Sequence, residues 1–217
     1  MSVNEVATTV ETSLEGLRLL EHPYYRKWQE GLLRPEDLGA YAGQYRHFER
    51  HLPEVLSLVA DQLPVGRASD LVTSNLEDEC SRPEPHLQLF DGFAAAVGAD
   101  DSAIPSDATA ELVDVYRRAA EHSPVAALAV IAAYEVQAGD IAATKACSLQ
   151  QHYGLGADAT RFWTVHSEME DSHAAWTTEA LEVLGADAET VSEWSFRSAE
   201  AWWRFLDDRL ESATAGS

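Results

Sequence analysis

Ten consecutive residues near the middle of the chain, Val125 to Tyr134 (VAALAVIAAY), carry no charged or amide side chain. Pro124 opens the stretch, and alanine and leucine dominate it, so it reads as a helix. A helix that is apolar on every face has no side to give to water and needs neighbours all round. That requirement is met by the rest of the chain, which is helical in period. From Pro35 to Leu63, apolar and aromatic residues recur at steps of three and four: Leu38, Tyr41, Tyr45, Phe48, Leu52, Leu56 and Val59. Pro53 is expected to bend this segment rather than end it. Similar stretches run over 67–80, 84–98, 107–121, 124–153, 157–184 and 188–212. Pro83 and Pro85 open one of them, Gly98 closes it, and Gly154 with Gly156 separates two long ones. Residues 99–107 form a polar linker, and no strand-like alternation longer than a few residues occurs. The reading is an all-α bundle of seven to eight helices, a single domain over 1–217, with flexible tails at 1–8 and 213–217. A chain of 217 residues buries a core large enough to need no disulfide framework.

The surface that must enclose such a core is strongly acidic. The chain has 37 acidic against 15 basic residues, a formal net charge of −22. Phosphate backbones and anionic lipid surfaces need a basic face, so neither a nucleic-acid nor a membrane partner is expected. Only two of the basic residues are lysines, Lys27 and Lys145. Dense carboxylates with so little lysine suit a salt-crowded interior, where screening removes self-repulsion, and the chain reads as halophilic. Cys80 and Cys147 form no CxxC pair, and the first twenty residues lack a basic region followed by an apolar one. A cytoplasmic setting is therefore expected. The longest apolar run, Pro124 to Tyr134, is short of a membrane span.

Ionisable residues in apolar surroundings mark the chemistry. His166, Glu170 and His173 stand at i, i+4 and i+7, within an arc of about 60° on a helix. Two imidazoles and a carboxylate on one stripe, flanked by Phe162, Trp163, Val165, Met169 and Trp176, suit a first-row transition metal. Taken singly, each is more often a solvated surface residue; the three together are harder to dismiss. Glu79 and His86 form a second pair, split by Pro83 and Pro85, with Glu77 and Asp78 as competing carboxylates. Glu135 directly follows the all-apolar stretch, where a carboxylate is costly unless paired, protonated or metal-bound. Three glutamates and three histidines from four segments are the ligand types of a dinuclear carboxylate site in a helical bundle.

At these residues the sequence resembles the heme-oxygenase-like diiron oxidases, relatives of the thiaminase II fold, and above all their self-sacrificing para-aminobenzoate synthase branch. The likeness runs over about 20–180. The family's H-x-x-Y-x-x-W reads His22-Pro-Tyr-Tyr25-Arg-Lys-Trp28, followed by Tyr41, Tyr45 and Pro53. Its N-L-x-x-E-x6-H corresponds to Asn75 through Glu79 to His86, and its Y-E-x-Q to Tyr134-Glu135-Val-Gln137, with Lys145 ten residues after the glutamate. Its closing H-x3-D-x2-H corresponds to His166, Glu170 and His173, so glutamate stands in the aspartate's place with Asp171 beside it. Arg46 stands where the second residue of a tyrosine pair is usual.

The resemblance implies metal ligation by Glu79, His86, Glu135, His166, Glu170 and His173. The cofactor implied is two iron ions, or a manganese/iron pair, with dioxygen as co-substrate and an external reductant. It further implies that Tyr25 supplies the aromatic ring of para-aminobenzoate, a folate precursor, and that Lys145 supplies the amine, with Tyr41, Tyr45 and Tyr134 as redox relays. A homodimer is also implied. On the residues alone, Lys145 could equally snorkel to solvent, and the tyrosines could be plain core aromatics. Two other functions stay open: the same metal site acting on an external amine, amino acid or fatty acid, and a non-catalytic binding protein of this fold. A thiaminase is not expected, because the central apolar stretch holds no cysteine.

Overall fold

The computed structural model describes residues 1–81 and 84–215, with the side chains of residues 170 and 171 outside that description. Among the described residues there are nine α-helices, one short 3-10 turn (Leu19–Glu21) and no strand. The helices are α1 (Val3–Ser13), α2 (Pro23–Gln29), α3 (Pro35–Gln62), α4 (Arg67–Ser81), α5 (His86–Ala96), α6 (Asp107–His122), α7 (Pro124–Tyr153), α8 (Ala157–Val183) and α9 (Ala188–Ala215).

Helix α7 is the axis of the bundle. Every residue from Ala126 to Glu135 is buried, and α8, α9, α6, α3, α2 and α1 all pack on it. Its alanines let neighbours approach closely: Ser195 and Ser198 of α9 donate to the α7 carbonyls of Ala129 and Val130, at 3.2 and 2.9 Å. By length and composition α7 could cross a membrane, but its apolar faces are covered by the other helices. The Ser123 hydroxyl caps its start by accepting from Ala126 N–H, with Pro124 at the first helical position. Gly154, at φ +67°, closes it in the left-handed conformation that only glycine adopts without strain.

Segment boundaries read from the sequence agree with α3 to α9 to within a few residues, and Pro53 lies inside α3 without ending it. Two helices, α1 and α2, lie outside the segments that the sequence period marks. Residues 1–8 are not a loose tail. Val3–Ser13 is a helix with a Ser2/Glu5 capping box, and Val6 and Val10 are fully buried against α8 and α9. Its apolar positions are too sparse among threonines and glutamates to show a period. Helix α2, seven residues long, is too short to show one. At the other end α9 runs on to Ala215 with Ala213 buried, so residues 213–215 are not a loose tail, and residues 216 and 217 lie outside the described part.

Close packing in the first turns of α3 fixes that helix against the turn after α5. A Cβ on Gly39 would lie 2.8 Å from the carbonyl oxygen of Val97. Gln44, one turn further, accepts from the Ser106 N–H and the Thr109 hydroxyl, tying α3 to the start of α6. These contacts hold the register in which α3 presents Tyr41, Tyr45 and Glu49 inward.

Candidate metal centre and a buried amine

Three helices and the start of α5 bring carboxylates and imidazoles to one place. Glu79 comes from the last turn of α4, His86 opens α5, Glu135 follows the apolar run of α7, and His166 and His173 lie on α8. All five are buried, none more than 7% exposed. His86 Nδ1 lies 2.8 Å from Glu79 Oε2, His173 Nδ1 lies 3.8 Å from Glu79 Oε1, and the His86 and His166 rings are 4.4 Å apart. Asn75 Nδ2 donates to Glu135 Oε1 at 2.7 Å, holding that carboxylate in place. His166 Nδ1 donates to the Phe162 carbonyl at 2.9 Å, which fixes the tautomer and leaves Nε2 with its lone pair. Glu170, the sixth residue of the set, has its side chain outside the described residues.

A carboxylate that the spacing did not single out joins them. Glu49 of α3 is 2% exposed, and Glu49, Glu79, His86 and His166 each offer a ligand atom within 4.8 Å of the others. Glu49 Oε1 is buried without a hydrogen-bond partner. With Glu135 and His173 it lines a nearly closed cavity whose other walls are Tyr45, Phe48, Leu52 and Tyr134. The free space there is about 10 Å³, room for a single water.

The electrostatics of this cluster fit bound cations. Burial pushes the Glu49 carboxyl well above the usual range, and the charge of Glu79 adds to that. Burial likewise raises Glu135, against the pull of His173. Burial also acts upward on Glu79, but His86, then His166 and His173, outweigh it and hold that group down to about 2. His166 is pushed down to about 3 by burial and by His86, so its imidazole is neutral. Among the described residues, none of the three carboxylates is paired with lysine or arginine. Three carboxylates converging without a compensating base are expensive in a dry interior, and they repay that cost when bound to divalent ions. Neutral imidazoles plus carboxylates are the donor set of first-row metals, and the residues present fit a pair of iron ions.

A second cluster lies just beyond the cavity wall. Lys145, 2% exposed, does not reach solvent. Its Nζ donates to Tyr25 Oη at 2.9 Å and to Tyr41 Oη at 2.7 Å, while the two phenols are 2.8 Å apart. The amine also sits 4.0 Å from the Trp163 ring centre. Burial pushes it well below the ordinary lysine value, with Glu49 pulling weakly the other way. Lys145 follows Tyr134 by eleven residues, about three turns, so the two share a face of α7. Between cluster and cavity stand stacked rings: Tyr41 on Tyr45 at 5.5 Å, with Tyr45 Oη 2.8 Å from Tyr134 Oη. Tyr25, Lys145, Tyr41, Tyr45 and Tyr134 thus form one continuous buried chain ending at the cavity. Arg46 points elsewhere and pairs with Asp91.

Comparison with known proteins follows the same lines. A family profile described as "iron-containing redox enzyme", of heme-oxygenase-like type, matches residues 39–204. The 4-aminobenzoate synthase of Nitrosomonas europaea is 33% identical over 99% of this chain and 95% of its own length. Among solved structures, a domain of unknown function with a heme oxygenase-like fold from Shewanella denitrificans superposes with a TM-score of 0.78 at 19% identity, covering 98% of this chain and 93% of that one. A CADD-like protein of unknown function from Nostoc punctiforme gives 0.77 at 18% identity, covering 97% and 98%. The chain belongs to this family of iron-containing redox enzymes, has the heme-oxygenase-like fold, and is an oxidoreductase.

Proposed function

We propose that this iron-containing redox enzyme makes 4-aminobenzoate, which is para-aminobenzoate, from its own Tyr25, taking the nitrogen from Lys145. The observation that carries the reading is the Lys145 amine, buried and 2.9 Å from the Tyr25 phenol, one tyrosine pair away from the candidate metal centre. The curated relative from Nitrosomonas europaea carries the matching name.

Glu49, Glu79, Glu135, His86, His166 and His173 would hold two iron ions, or a manganese/iron pair, with Glu170 as the further ligand from α8. Bound there, the metal pair would take electrons from an external reductant and use dioxygen as the source of oxidising equivalents. The chain's own residues do the rest. Tyr45 and Tyr134 share a hydrogen bond at the cavity wall, so each phenol can hand over a proton while its ring gives up an electron. Tyr41 extends that path to Tyr25. The phenols of Tyr25 and Tyr41 hold Lys145 Nζ in place, and the dry aromatic cage of Trp28 and Trp163 keeps its amine neutral and nucleophilic. Exclusion of water also protects an oxidised Tyr25 from hydrolytic side reactions. Because substrate ring and amine belong to the protein, each chain turns over once.

The test uses protein made with ring-labelled tyrosine and 15N-lysine, loaded with iron anaerobically and then given dioxygen and reductant. Both labels should appear in 4-aminobenzoate, in no more than one equivalent per chain, and Tyr25→Phe should yield none. Unlabelled product, many turnovers per chain, or a normal yield from Lys145→Arg would refute the reading and favour an external substrate.

A further inference from the structure

Tyr25 stands on α2, the shortest α-helix among the described residues, seven residues long where the next shortest have eleven. A helix of two turns is not stable by itself in water and keeps its shape only where its surroundings hold it. At its far end, a Cβ on Gly31 would lie 2.6 Å from His152 Cβ, so the turn after α2 is pressed onto the end of α7. Tyr24, its second residue, donates its hydroxyl to the Asp37 carbonyl of α3 at 3.1 Å. The start of the helix is held by a histidine.

His22 is the N-cap of α2 and is fully buried. Its Nδ1 accepts from the Tyr24 N–H at 3.1 Å, so that nitrogen carries a lone pair. Nε2–H donates to Asp207 Oδ1 of α9 at 3.1 Å, and the Trp203 ring packs edge-on at 4.6 Å. The tautomer is thereby fixed, and the ring joins α2 to α9. The His22 carbonyl accepts from the Arg26 N–H at 3.0 Å, closing the turn that carries Tyr25. Asp207 is the charged group that α9 turns toward the imidazole; the 3-10 turn carries exposed Glu21, and α7 carries Lys145, whose amine lies on Tyr25. Asp37 and Arg209 face the neighbouring Tyr24. Burial lowers the His22 imidazole below the ordinary histidine value, against the pull of Asp207. A proton on Nδ1 would set two donors against each other and remove the cap.

We propose that His22 is the positioning residue for the tyrosine: by capping α2 through Nδ1, with Asp207 fixing its ring, it keeps the Tyr25 phenol against the Lys145 amine. Its effect on turnover rests on the reading of Tyr25 as the consumed ring, but the clamp itself can be measured without turnover. His22 touches neither the phenol nor the amine. It acts on the backbone of the first helical turn, where Tyr25 is the third residue. Because the cap needs a free lone pair, the clamp is released by acid. An open α2 carries an ordinary histidine and the closed one a histidine that resists protonation, so opening is favoured as pH falls below about 6.5.

Hydrogen exchange read by mass spectrometry, on the full chain held under nitrogen with ferrous iron, follows the amides of residues 24–30 without turnover. After correction for the intrinsic pH dependence of exchange, protection in the parent should fall below about pH 6.5, by up to about tenfold per pH unit. His22→Asn supplies a good cap that does not titrate, so it should keep the protection and lose the pH dependence. His22→Ala should exchange about tenfold faster at every pH, while amides of α6 stay unchanged in all three proteins. Once dioxygen and reductant are admitted, the rate of 4-aminobenzoate formation should follow the same order. The Asn variant should match the parent at neutral pH and exceed it in acid, and the Ala variant should be about tenfold slower. Parental exchange in His22→Ala, or a parental pH dependence in His22→Asn, would overturn the proposal. If the Ala variant does not fold, the pH dependence of the Asn variant decides alone. Should the loaded parent form no 4-aminobenzoate, the reading of Tyr25 as substrate fails, and exchange still decides the clamp.

Discussion

Glu49 offers the sharpest separation of stability from function in this fold. Its side chain is 2% exposed, one oxygen has no hydrogen-bond partner, and the nearby Glu79 carboxylate repels its charge. A buried polar atom left unpaired costs about 1–3 kcal/mol. In the metal-free protein, Glu49→Leu removes that cost and adds apolar contact with Phe48, Leu52 and Tyr134, which line the same cavity. Stability should therefore rise by about 1–3 kcal/mol. For a chain of this length, 1 kcal/mol corresponds to about 2–4 °C in Tm, so melting should move up by roughly 2–12 °C. Glu49→Gln, similar in shape to the protonated acid, should melt within about 1 kcal/mol of the parent. The same two variants should bind iron at least tenfold more weakly, a lower bound set by what loss of even a supporting residue costs a metal site. The assays are differential scanning calorimetry on chelator-treated protein and anaerobic ferrous titration. A metal-free Glu49→Leu protein that melts below the parent, or that binds iron as tightly, would refute the reasoning.

Three further outcomes follow from burial and packing. Lys145 is held below its ordinary pKa by burial, so the native state binds fewer protons than the unfolded chain. Stability should then rise with pH through the window between that depressed value and the ordinary one, by up to about 1.4 kcal/mol per pH unit. Lys145→Met should abolish this rise in urea unfolding measured across pH, and a parental pH dependence in the variant would refute a neutral buried amine. Gly39→Ala would set a methyl 2.8 Å from the Val97 carbonyl and 3.2 Å from that of Gly98, both backbone atoms, and should cost about 1–3 kcal/mol. Gly92→Ala on α5, where a Cβ meets nothing within 4 Å, should instead gain about 0.5–1 kcal/mol by the same urea assay.

Which parts of this architecture can be read from the chain depends on how each residue announces itself. Helices α3 to α9 are legible because each is long enough for its apolar stripe to repeat several times, and because proline, serine and glycine punctuate them. Helix α1 hides because it buries only Val6, Val10 and Ser13 along eleven residues. His166 and His173 are visible through spacing on one helix, and Glu135 through its position at the end of an apolar run. Lys145 stands out by rarity, one of two lysines in the chain. Its partner Tyr41 does not, since an aromatic on an apolar stripe is ordinary, and only the fold shows it 2.7 Å from the amine.

Glu49 is the instructive omission. It sits in Phe48-Glu-Arg-His-Leu-Pro-Glu54, where Arg50, His51 and Glu54 make the stretch look like a solvated face. Two signals were nevertheless present. Glu49 falls four residues after Tyr45 and eight after Tyr41, on the stripe those tyrosines define. Pro53, four residues on, has no N–H to give to the Glu49 carbonyl, so α3 is held by one hydrogen bond fewer at that turn. Neither signal means much alone, since stripes carry stray polar residues and prolines bend long helices for many reasons. Together they describe a carboxylate turned inward at a locally loosened turn. The same turn carries Arg50 and His51 to a surface cavity, so a buried carboxylate stands directly beside residues that face solvent, and the sequence around it reads as exposed.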